Sequence, residues 1–260
     1  MAAPGEQRYQ LFIGQRNYSS WSMRPWLLLR AVGFQFDDVC VEVEGRGFNP
    51  KHLAYSPSGL VACLHCPGGE RVWDSLAIAE WLAERSPPGA VWPVDAAART
   101  LARCVAAEMH GGFGDVRANL PCNIKMRLEG RPLNERTALQ VQRIAGIWAE
   151  ARERFGAPSG AGPYLFGAFG AADAMYAPVV SRFITYNVDL AAWPAAQAYA
   201  AAIAAHPLYR EWEALALAET NPIGHYDVAA LELGGPPRTG LCAVELAAAA
   251  AVAAGGQASA

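Results

Sequence analysis

The feature that most constrains the fold is a change in the spacing of apolar residues near residue 90. Before this point strand-like alternation is mixed with helical spacing, and after it apolar residues recur three and four apart. Ser86-Pro87-Pro88-Gly89 lies at the change, and such Pro/Gly clusters are typical of connections between folded units. We therefore predict an α/β domain over residues 1–85, a linker over 86–93 and an all-helical domain over 94–226.

The first region is predicted to contain a strand–helix–strand unit, then a hairpin and a second helix. Pro25 is expected at the first turn of the first helix, where proline is tolerated. Pro67-Gly68-Gly69 predicts the hairpin turn, and Asp74-Ser75 predicts the start of the second helix, because short oxygen-bearing side chains cap first-turn amides. The predicted strands are residues 10–13, 36–43, 60–66 and 71–73, and the predicted helices are residues 24–32 and 75–82.

The second region shows only helical spacing. Its predicted helices are residues 97–117, 134–155, 171–187, 194–205 and 208–219. From about residue 227 the chain becomes Gly/Pro-rich and then alanine-rich, and alanine favours helix but buries little apolar surface. Residues 227–260 are therefore predicted to form a flexible, loosely held tail.

Composition excludes several classes of function. Lysine and arginine number 21 against 24 aspartates and glutamates, so no strong positive charge favours a nucleic-acid partner. The longest apolar run, residues 243–254, is mostly alanine and is too short and too polar to cross a membrane. Residues 1–10 lack the apolar core of a secretory signal. We expect a cytoplasmic protein with neither nucleic acid nor membrane as partner.

Three motifs carry a family resemblance that covers both predicted domains. They are NYSSWSMRPW at residues 17–26, VWDSLAIAEWL at residues 72–82 and AADAMYAP at residues 171–178. With the α/β-then-helical order, the chain resembles the cytosolic glutathione S-transferase family, and specifically its serine-type Zeta and Tau members. The resemblance implies a thioredoxin-like N-terminal domain, an all-helical C-terminal domain, glutathione as co-substrate and a homodimer.

Ser19 is the catalytic candidate, by its position in the family motif. Free thiols titrate near 8.5, so only a small fraction of glutathione is the nucleophilic thiolate at neutral pH. A hydroxyl donor at a helix N-terminus favours the thiolate, because the orphan amides there carry partial positive charge. Ser20 is a second candidate and Tyr18 an alternative donor, while Trp21 stands where Zeta enzymes have a cysteine. The serines could also simply cap the helix.

Four residues are candidates for binding glutathione. Asp74 can meet the γ-glutamyl ammonium, and the hydroxyl and amide of Ser75 can hold the γ-glutamyl carboxylate, although the same pair could be an ordinary helix cap. By resemblance, the Val61 backbone pairs with the cysteinyl part like an added strand. Lys51 is a candidate partner for the glycyl carboxylate, with Arg46 and His52 as rivals.

The sequence departs from the family pattern at two positions. Members carry a cis proline after the valine, but Ala62 follows Val61 here, and a cis bond before alanine costs roughly 3 kcal/mol. The sequence leaves open whether this peptide is cis or trans. Gly170 stands where the helical motif usually has Ser or Thr, and Asp173 is predicted to hydrogen-bond amides near the start of its own helix.

Cys63 and Cys66 form a C-x-x-C pattern, which in a thioredoxin-like unit suggests redox catalysis. The pair falls inside a predicted strand, and reactive versions lie at a helix N-terminus. A single pair also lacks the remaining ligands of a zinc site. We therefore predict neither redox nor metal chemistry.

The electrophile pocket is expected to involve Tyr18 and Trp21 from the first region. By resemblance, the helix that carries Met109, His110, Phe113 and Arg117 also lines it, although such a stripe could equally belong to the core. The predicted function is conjugation of the glutathione thiolate to small, mostly apolar electrophiles. The alternatives are a glutathione-dependent cis-trans isomerase, similar to the maleylacetoacetate isomerases, and a non-catalytic binding or assembly module.

Overall fold

Four strands form the sheet of the N-terminal region in the computed structural model, which describes residues 8–45 and 47–257. They are β1 (Gln10–Ile13), β2 (Asp37–Cys40), β3 (Cys63–His65) and β4 (Arg71–Val72). The spatial order is β2-β1-β3-β4, with β1 parallel to β2 and the other two pairs antiparallel. The predicted strand–helix–strand unit and the predicted hairpin are confirmed.

Two helices complete this region, α1 (Ser20–Ala31) and α2 (Ser75–Ala83). Helix α1 begins upstream of the predicted start, because the Ser19 side chain caps it by accepting a hydrogen bond from the Ser22 amide. Pro25 therefore lies inside α1, and its predicted place at the first turn is wrong. Helix α2 begins at Ser75 with Asp74 as its cap, as predicted.

Helices make up most of the remaining chain. They are α3 (Ala96–Gly111), α4 (Gly114–Asn119), α5 (Glu135–Ala151), α6 (Ala157–Ser159), α7 (Ala171–Thr185), α8 (Pro194–Ala205), α9 (Pro207–Ala218), α10 (Gly224–Gly234) and α11 (Ala243–Gln257). A π-turn, Arg152–Gly156, links α5 to α6. No helix in the described part of the chain combines the length and the apolar character needed to cross a membrane.

The helix predicted over residues 97–117 is two helices, so that prediction is wrong. Phe113 adopts a left-handed backbone conformation, with φ of 58°, and ends the regular hydrogen bonding. A Cβ at Gly112 would lie 2.6 Å from the carbonyl oxygen of Glu108, so the sharp turn depends on glycine. The break redirects the chain and sends Arg117 back toward the end of α3.

The region after residue 227 differs from the predicted loose tail. Helix α11 packs along α8, and small side chains let the two helices approach closely. The Glu245 carboxylate also accepts from Arg127 Nε at 2.5 Å and from Arg238 Nη2 at 2.9 Å. Cys242 and Val244 are buried beside these ion pairs. Both apolar burial and charge therefore hold this segment.

Helix α7 is the centre of the helical region and packs against both α1 and α3. All of its residues are buried. Its first turn is held by Asp173, whose carboxylate accepts from the amides of Leu165 and Gly170, each at 3.0 Å. The predicted structural role of Asp173 is confirmed. The contact between α1 and α7 joins the two regions next to Ser19.

Candidate active site

Ser19 lies at the N-terminus of α1, at the junction with the preceding turn from β1. Its side chain is half-buried. The Ser19 Oγ accepts from the Ser22 amide at 3.3 Å and lies 2.7 Å from the Ser22 Oγ. A ligand at this position would face a hydroxyl and the positive end of the helix dipole together.

Two acidic residues from far along the chain hold the turn that carries Ser19. Glu219 accepts from the amides of Arg16 and Asn17, at 2.7 and 3.1 Å. The Tyr18 hydroxyl donates to the Asp227 carboxylate at 3.0 Å and accepts from the Ile223 amide at 3.1 Å. Burial raises the pKa of Tyr18. The Tyr18 hydrogen is thus engaged within the protein, which disfavours Tyr18 as the donor to a ligand.

Ser20, the second serine of the motif, points elsewhere. It is buried, and its Oγ accepts from Arg182 Nη2 on α7 at 3.2 Å. The adjacent serines therefore face different surroundings, Ser19 at the open end of the helix and Ser20 in the contact with α7. This placement disfavours a direct catalytic role for Ser20.

Asp74 and Ser75 form the N-terminus of α2, as their sequence pattern predicts. The Asp74 Oδ1 accepts from the Leu76 amide at 2.9 Å. Its Oδ2 lies 2.6 Å from Nε2 of His110, which therefore carries the hydrogen, because an ionised carboxylate only accepts. The Ser75 Oγ is buried and has no hydrogen-bond partner among the described residues. The N-terminus of α2 therefore holds a buried hydroxyl whose hydrogen-bonding capacity is unused within the described residues.

Trp21 lies between the Asp74–His110 pair and two arginines. Its ring centre lies 5.4 Å from the His110 ring. The guanidinium carbons of Arg24 and Arg117 lie 4.4 and 4.7 Å from the Trp21 ring centre, within the range of cation–π contact. The expected pocket residues Trp21, His110 and Arg117 are thus brought together from three different elements.

The cations near Trp21 carry uncompensated positive charge. Arg24 is 1% exposed and donates from Nε to the Met175 carbonyl oxygen at 3.2 Å, while its two other nitrogens have no acceptor among the described residues. Burial, with repulsion from Arg117 and Arg182, holds the pKa of Arg24 well below its usual value. Burial, with Arg182, lowers the pKa of Arg117 to about 10. No carboxylate of a described residue pairs with Arg24 or Arg117.

The sequence reasoning missed the roles of Arg24 and Arg182. Arg24 was visible as a single charge within the apolar stretch of α1, and a charge inside such a stretch indicates a buried contact. Arg182 lies on α7 in a similarly apolar stretch. Arg117 acts locally as well, because its Nε donates to the Gly112 carbonyl oxygen at 3.0 Å and closes the C-terminal end of α3.

Two of the residues expected in the electrophile pocket belong to the core instead. Met109 is 1% exposed and Phe113 is 7% exposed, and both pack within the main apolar cluster. The helix that carries Met109 presents His110, its neighbour, toward Trp21. Of the four residues predicted to line the pocket, Met109 and Phe113 therefore belong to the core, while His110 and Arg117 lie beside Trp21.

The candidate glutathione-binding residues outside α2 lie on the loop that leads into β3 and on a 3-10 helix, Pro50–Ala54. Val61 is half-buried, the Val61–Ala62 peptide is cis, and no described residue hydrogen-bonds to the Val61 backbone. Lys51 is exposed and pairs with Glu44, whose hydrogen bond raises the pKa of Lys51. His52 is buried, with Nε2 3.0 Å from the Glu42 carbonyl oxygen, and Arg46 lies outside the described residues.

The cysteine pair has the surroundings of structural thiols. Cys63 is buried in β3, and burial raises its pKa to about 11. Cys66 follows the strand, and burial raises its pKa as well. Thiols with raised pKa values are poor nucleophiles at neutral pH. Within the described residues, no group of three or more histidine, cysteine, aspartate or glutamate side chains could hold a metal ion.

Comparisons with known proteins find similarity in sequence and in fold. Residues 18–85 match the family model described as "Glutathione S-transferase, N-terminal domain". A maleylacetoacetate isomerase from Pseudomonas aeruginosa is 29% identical over 208 residues, which are 78% of this chain and 94% of that protein. A glutathione transferase homologue from Burkholderia with bound glutathione superposes with a TM-score of 0.58 at 22% identity, over 81% of this chain and 98% of its own. A glutathione S-transferase from Rhodospirillum rubrum gives 0.63 at 19% identity, over 92% and 99%.

Proposed function

We propose that the chain, which is similar to glutathione transferases in sequence and fold, is a cytosolic glutathione S-transferase that binds glutathione and directs the glutathione thiolate at small electrophiles. The observation that carries this proposal is the Ser19 hydroxyl, which is half-buried and caps the N-terminus of α1. In this role Ser19 donates a hydrogen bond to the sulfur, while the thiol proton leaves to solvent.

The physical requirement on this site is modest. Lowering a thiol pKa by about two units corresponds to about 2.7 kcal/mol. A hydrogen bond to a charged group contributes roughly 1.5 to 3 kcal/mol, and a helix N-terminus adds roughly 0.3 to 1 kcal/mol. The guanidinium groups of Arg24 and Arg117 lie against the ring of Trp21, two residues after Ser19, and add positive potential to that of the helix dipole. These groups together can keep a bound thiol ionised at neutral pH.

Glutathione binding in this proposal uses the N-terminus of α2. Asp74 receives the γ-glutamyl ammonium, and Ser75 offers its unpartnered hydroxyl to the γ-glutamyl carboxylate. The Val61 backbone is open for strand-like pairing with the cysteinyl part, and Lys51 is the candidate for the glycyl carboxylate. His110 occupies one oxygen of Asp74, so it either shares that carboxylate with the ammonium or turns aside.

A second candidate function, glutathione-dependent cis-trans isomerisation, is favoured by two observations. One is the similarity to a maleylacetoacetate isomerase. The other is the positive charge around Trp21, which suits an acidic electrophile better than the mostly apolar one that the sequence suggests. In such a reaction glutathione adds to the double bond and then leaves, so it is not consumed.

Calorimetric titration with glutathione tests the proposal first. Saturable binding is expected below millimolar concentration, and absence of binding at millimolar glutathione would leave the non-catalytic module as the remaining function. Product analysis then separates the two reactions. An activated aryl halide tests conjugation by loss of free thiol, whereas maleylacetone tests isomerisation, in which free thiol stays constant.

Assembly as a homodimer, which the family resemblance implies, belongs to the same proposal. Light scattering across a dilution series tests it. We expect a mass twice that of the 27.7 kDa chain at micromolar concentration. A single-chain mass throughout would remove the dimer from the proposal without affecting the assignment of Ser19.

A further inference from the structure

Ser22 is a fully buried serine on the first turn of α1, with 0% of its surface exposed. Its Oγ accepts a hydrogen bond from the Gly14 amide at 3.0 Å, at the end of β1. The same Oγ lies 2.7 Å from the Ser19 Oγ, and the Ser22 amide donates to the Ser19 Oγ at 3.3 Å. Ser22 thus connects the sheet to the proposed thiolate donor.

The direction of the bond between the two hydroxyls follows from a count of their hydrogens. Each serine hydroxyl has one hydrogen. If Ser19 donated to Ser22, the buried hydrogen of Ser22 would have no acceptor among the described residues, and Ser19 would have none left for a ligand. If Ser22 donates to Ser19, the buried hydrogen of Ser22 has an acceptor, and the hydrogen of Ser19 remains available for a ligand. Buried polar hydrogens are rarely left unpaired, so the second direction is favoured.

We propose that Ser22 is a positioning residue that turns the Ser19 hydrogen toward the bound sulfur and strengthens its hydrogen bond. This inference rests on the proposed function. Two donors, the Ser22 hydroxyl and amide, act on the Ser19 Oγ and withdraw electron density from it, which makes Ser19 a better donor. No proton leaves either serine; the thiol loses its S–H proton to solvent and the sulfur keeps the electron pair.

Gly14 fixes the start of this chain of hydrogen bonds. A Cβ at this position would lie 2.5 Å from Val43 Cγ2 and 3.4 Å from the Ser19 Oγ. The close approach to Val43 therefore requires glycine at this position. Gly14 directly follows β1, which pairs on both sides, so the sheet fixes the position from which the Gly14 amide donates to the Ser22 Oγ.

The test is to measure the pKa of the thiol of bound glutathione from thiolate absorbance, in the wild-type protein and in three variants. Ser22→Ala removes the hydroxyl and is expected to raise that pKa by about one unit, a tenfold loss of thiolate below the pKa. Ser22→Thr keeps the hydroxyl and is expected to restore most of the shift. Ser181→Ala is the matched control, since Ser181 is also buried but donates to a carbonyl of its own helix, and no change is expected.

A second readout separates positioning from a purely structural role. Near pH 5 the bound tripeptide is protonated at sulfur in every variant, so its affinity there reports the binding site without the thiolate. We expect Ser22→Ala to change this affinity less than about twofold while turnover near pH 6.5 falls several-fold. Ser22→Cys, whose thiol is a weak donor, replaces the alanine variant if the latter is too unstable to titrate, with the same expected rise.

Three results are decisive. An unchanged thiol pKa in folded Ser22→Ala or Ser22→Cys, beside a raised pKa in Ser19→Ala, overturns the role of Ser22 and leaves the proposed function intact. Failure of the wild-type protein to bind glutathione overturns the proposed function itself. A fall in affinity near pH 5 that matches the fall in turnover makes Ser22 a structural residue only.

Discussion

Helices α1 and α7 both begin with a side-chain oxygen that accepts backbone hydrogen bonds, but they use it differently. Asp173 is 1% exposed, and each of its oxygens accepts from an amide, at 3.0 Å. Ser19 is half-buried, and with the Ser22 hydroxyl as donor to the Ser19 Oγ the hydrogen of Ser19 has no acceptor among the described residues. A cap is therefore structural where its bonding capacity is exhausted, and it is available for chemistry where one hydrogen and an open side remain.

The largest expected effect comes from breaking the cap of α7. Asp173→Ala leaves the buried amide of Leu165 and the half-buried amide of Gly170 without an acceptor, at roughly 1 to 3 kcal/mol each, so a loss of about 3 to 4 kcal/mol in the free energy of unfolding is expected. Urea denaturation measures it. Asp189→Ala is the control, because Asp189 is exposed and accepts from one amide only, and it should cost less than about 1 kcal/mol. Equal losses would contradict the comparison.

A pH dependence of stability is expected from the same carboxyl group. Burial raises the pKa of Asp173 to about 6, above the value near 3.9 of an unfolded chain. The folded protein therefore holds a proton that the unfolded chain has lost between these values. The Asp173 carboxyl group therefore contributes up to about 3 kcal/mol to the free energy of unfolding below about pH 4, and this contribution is lost as the pH rises through 6. Asp173→Asn should flatten this part of the stability profile, and an unchanged profile would place the dependence elsewhere.

The cap of α1 should behave in the opposite way. Ser19→Ala is expected to lower turnover at least tenfold, or about 1.4 kcal/mol in activation free energy, with little change in glutathione affinity. The free energy of unfolding should fall by only about 1 kcal/mol, the usual effect of losing a serine cap. Steady-state kinetics of Ser19→Ala and Ser20→Ala measure the difference in turnover. Ser20→Ala is the control, since the Ser20 hydroxyl is bonded to Arg182 on α7. A larger loss of turnover at Ser20 would reverse the assignment.

The smallest effect is expected outside both helix ends. Lys51 is fully solvated and already paired with Glu44. Lys51→Ala should raise the KM for glutathione less than about threefold and leave kcat unchanged, because exposed ion pairs are screened by solvent and contribute little. A tenfold rise would make Lys51 a principal binding residue and shift weight away from α2.

The local pattern predicted the cap of α2, and the family motifs singled out Ser19 and Asp173, but neither predicted the long-range contacts. Asp74 is a short polar residue placed before an apolar periodic run, whereas the start of α1 was predicted at residue 24, beyond its actual cap Ser19. Spacing alone could not find the break at Phe113, because it depends on a left-handed residue next to a close approach of Gly112 to Glu108.

The contacts of Arg24 with Arg117 and Arg182 join elements that are far apart in sequence, and no periodicity encodes them. The region after residue 227 was misjudged for a related reason. Its alanines gain stability only when another small-residue helix, α8, lies beside them, and Glu245 depends on arginines from two other segments.

The contacts of Glu219 and Asp227 with the turn before Ser19 carry a consequence for biosynthesis. The N-terminal sheet can assemble early in translation, but the turn that presents Ser19 gains these partners only after some two hundred further residues have left the ribosome. Nascent chains halted before that point would have a complete sheet but an incompletely held turn at the candidate site. Formation of this turn is thereby tied to synthesis of the chain through Asp227.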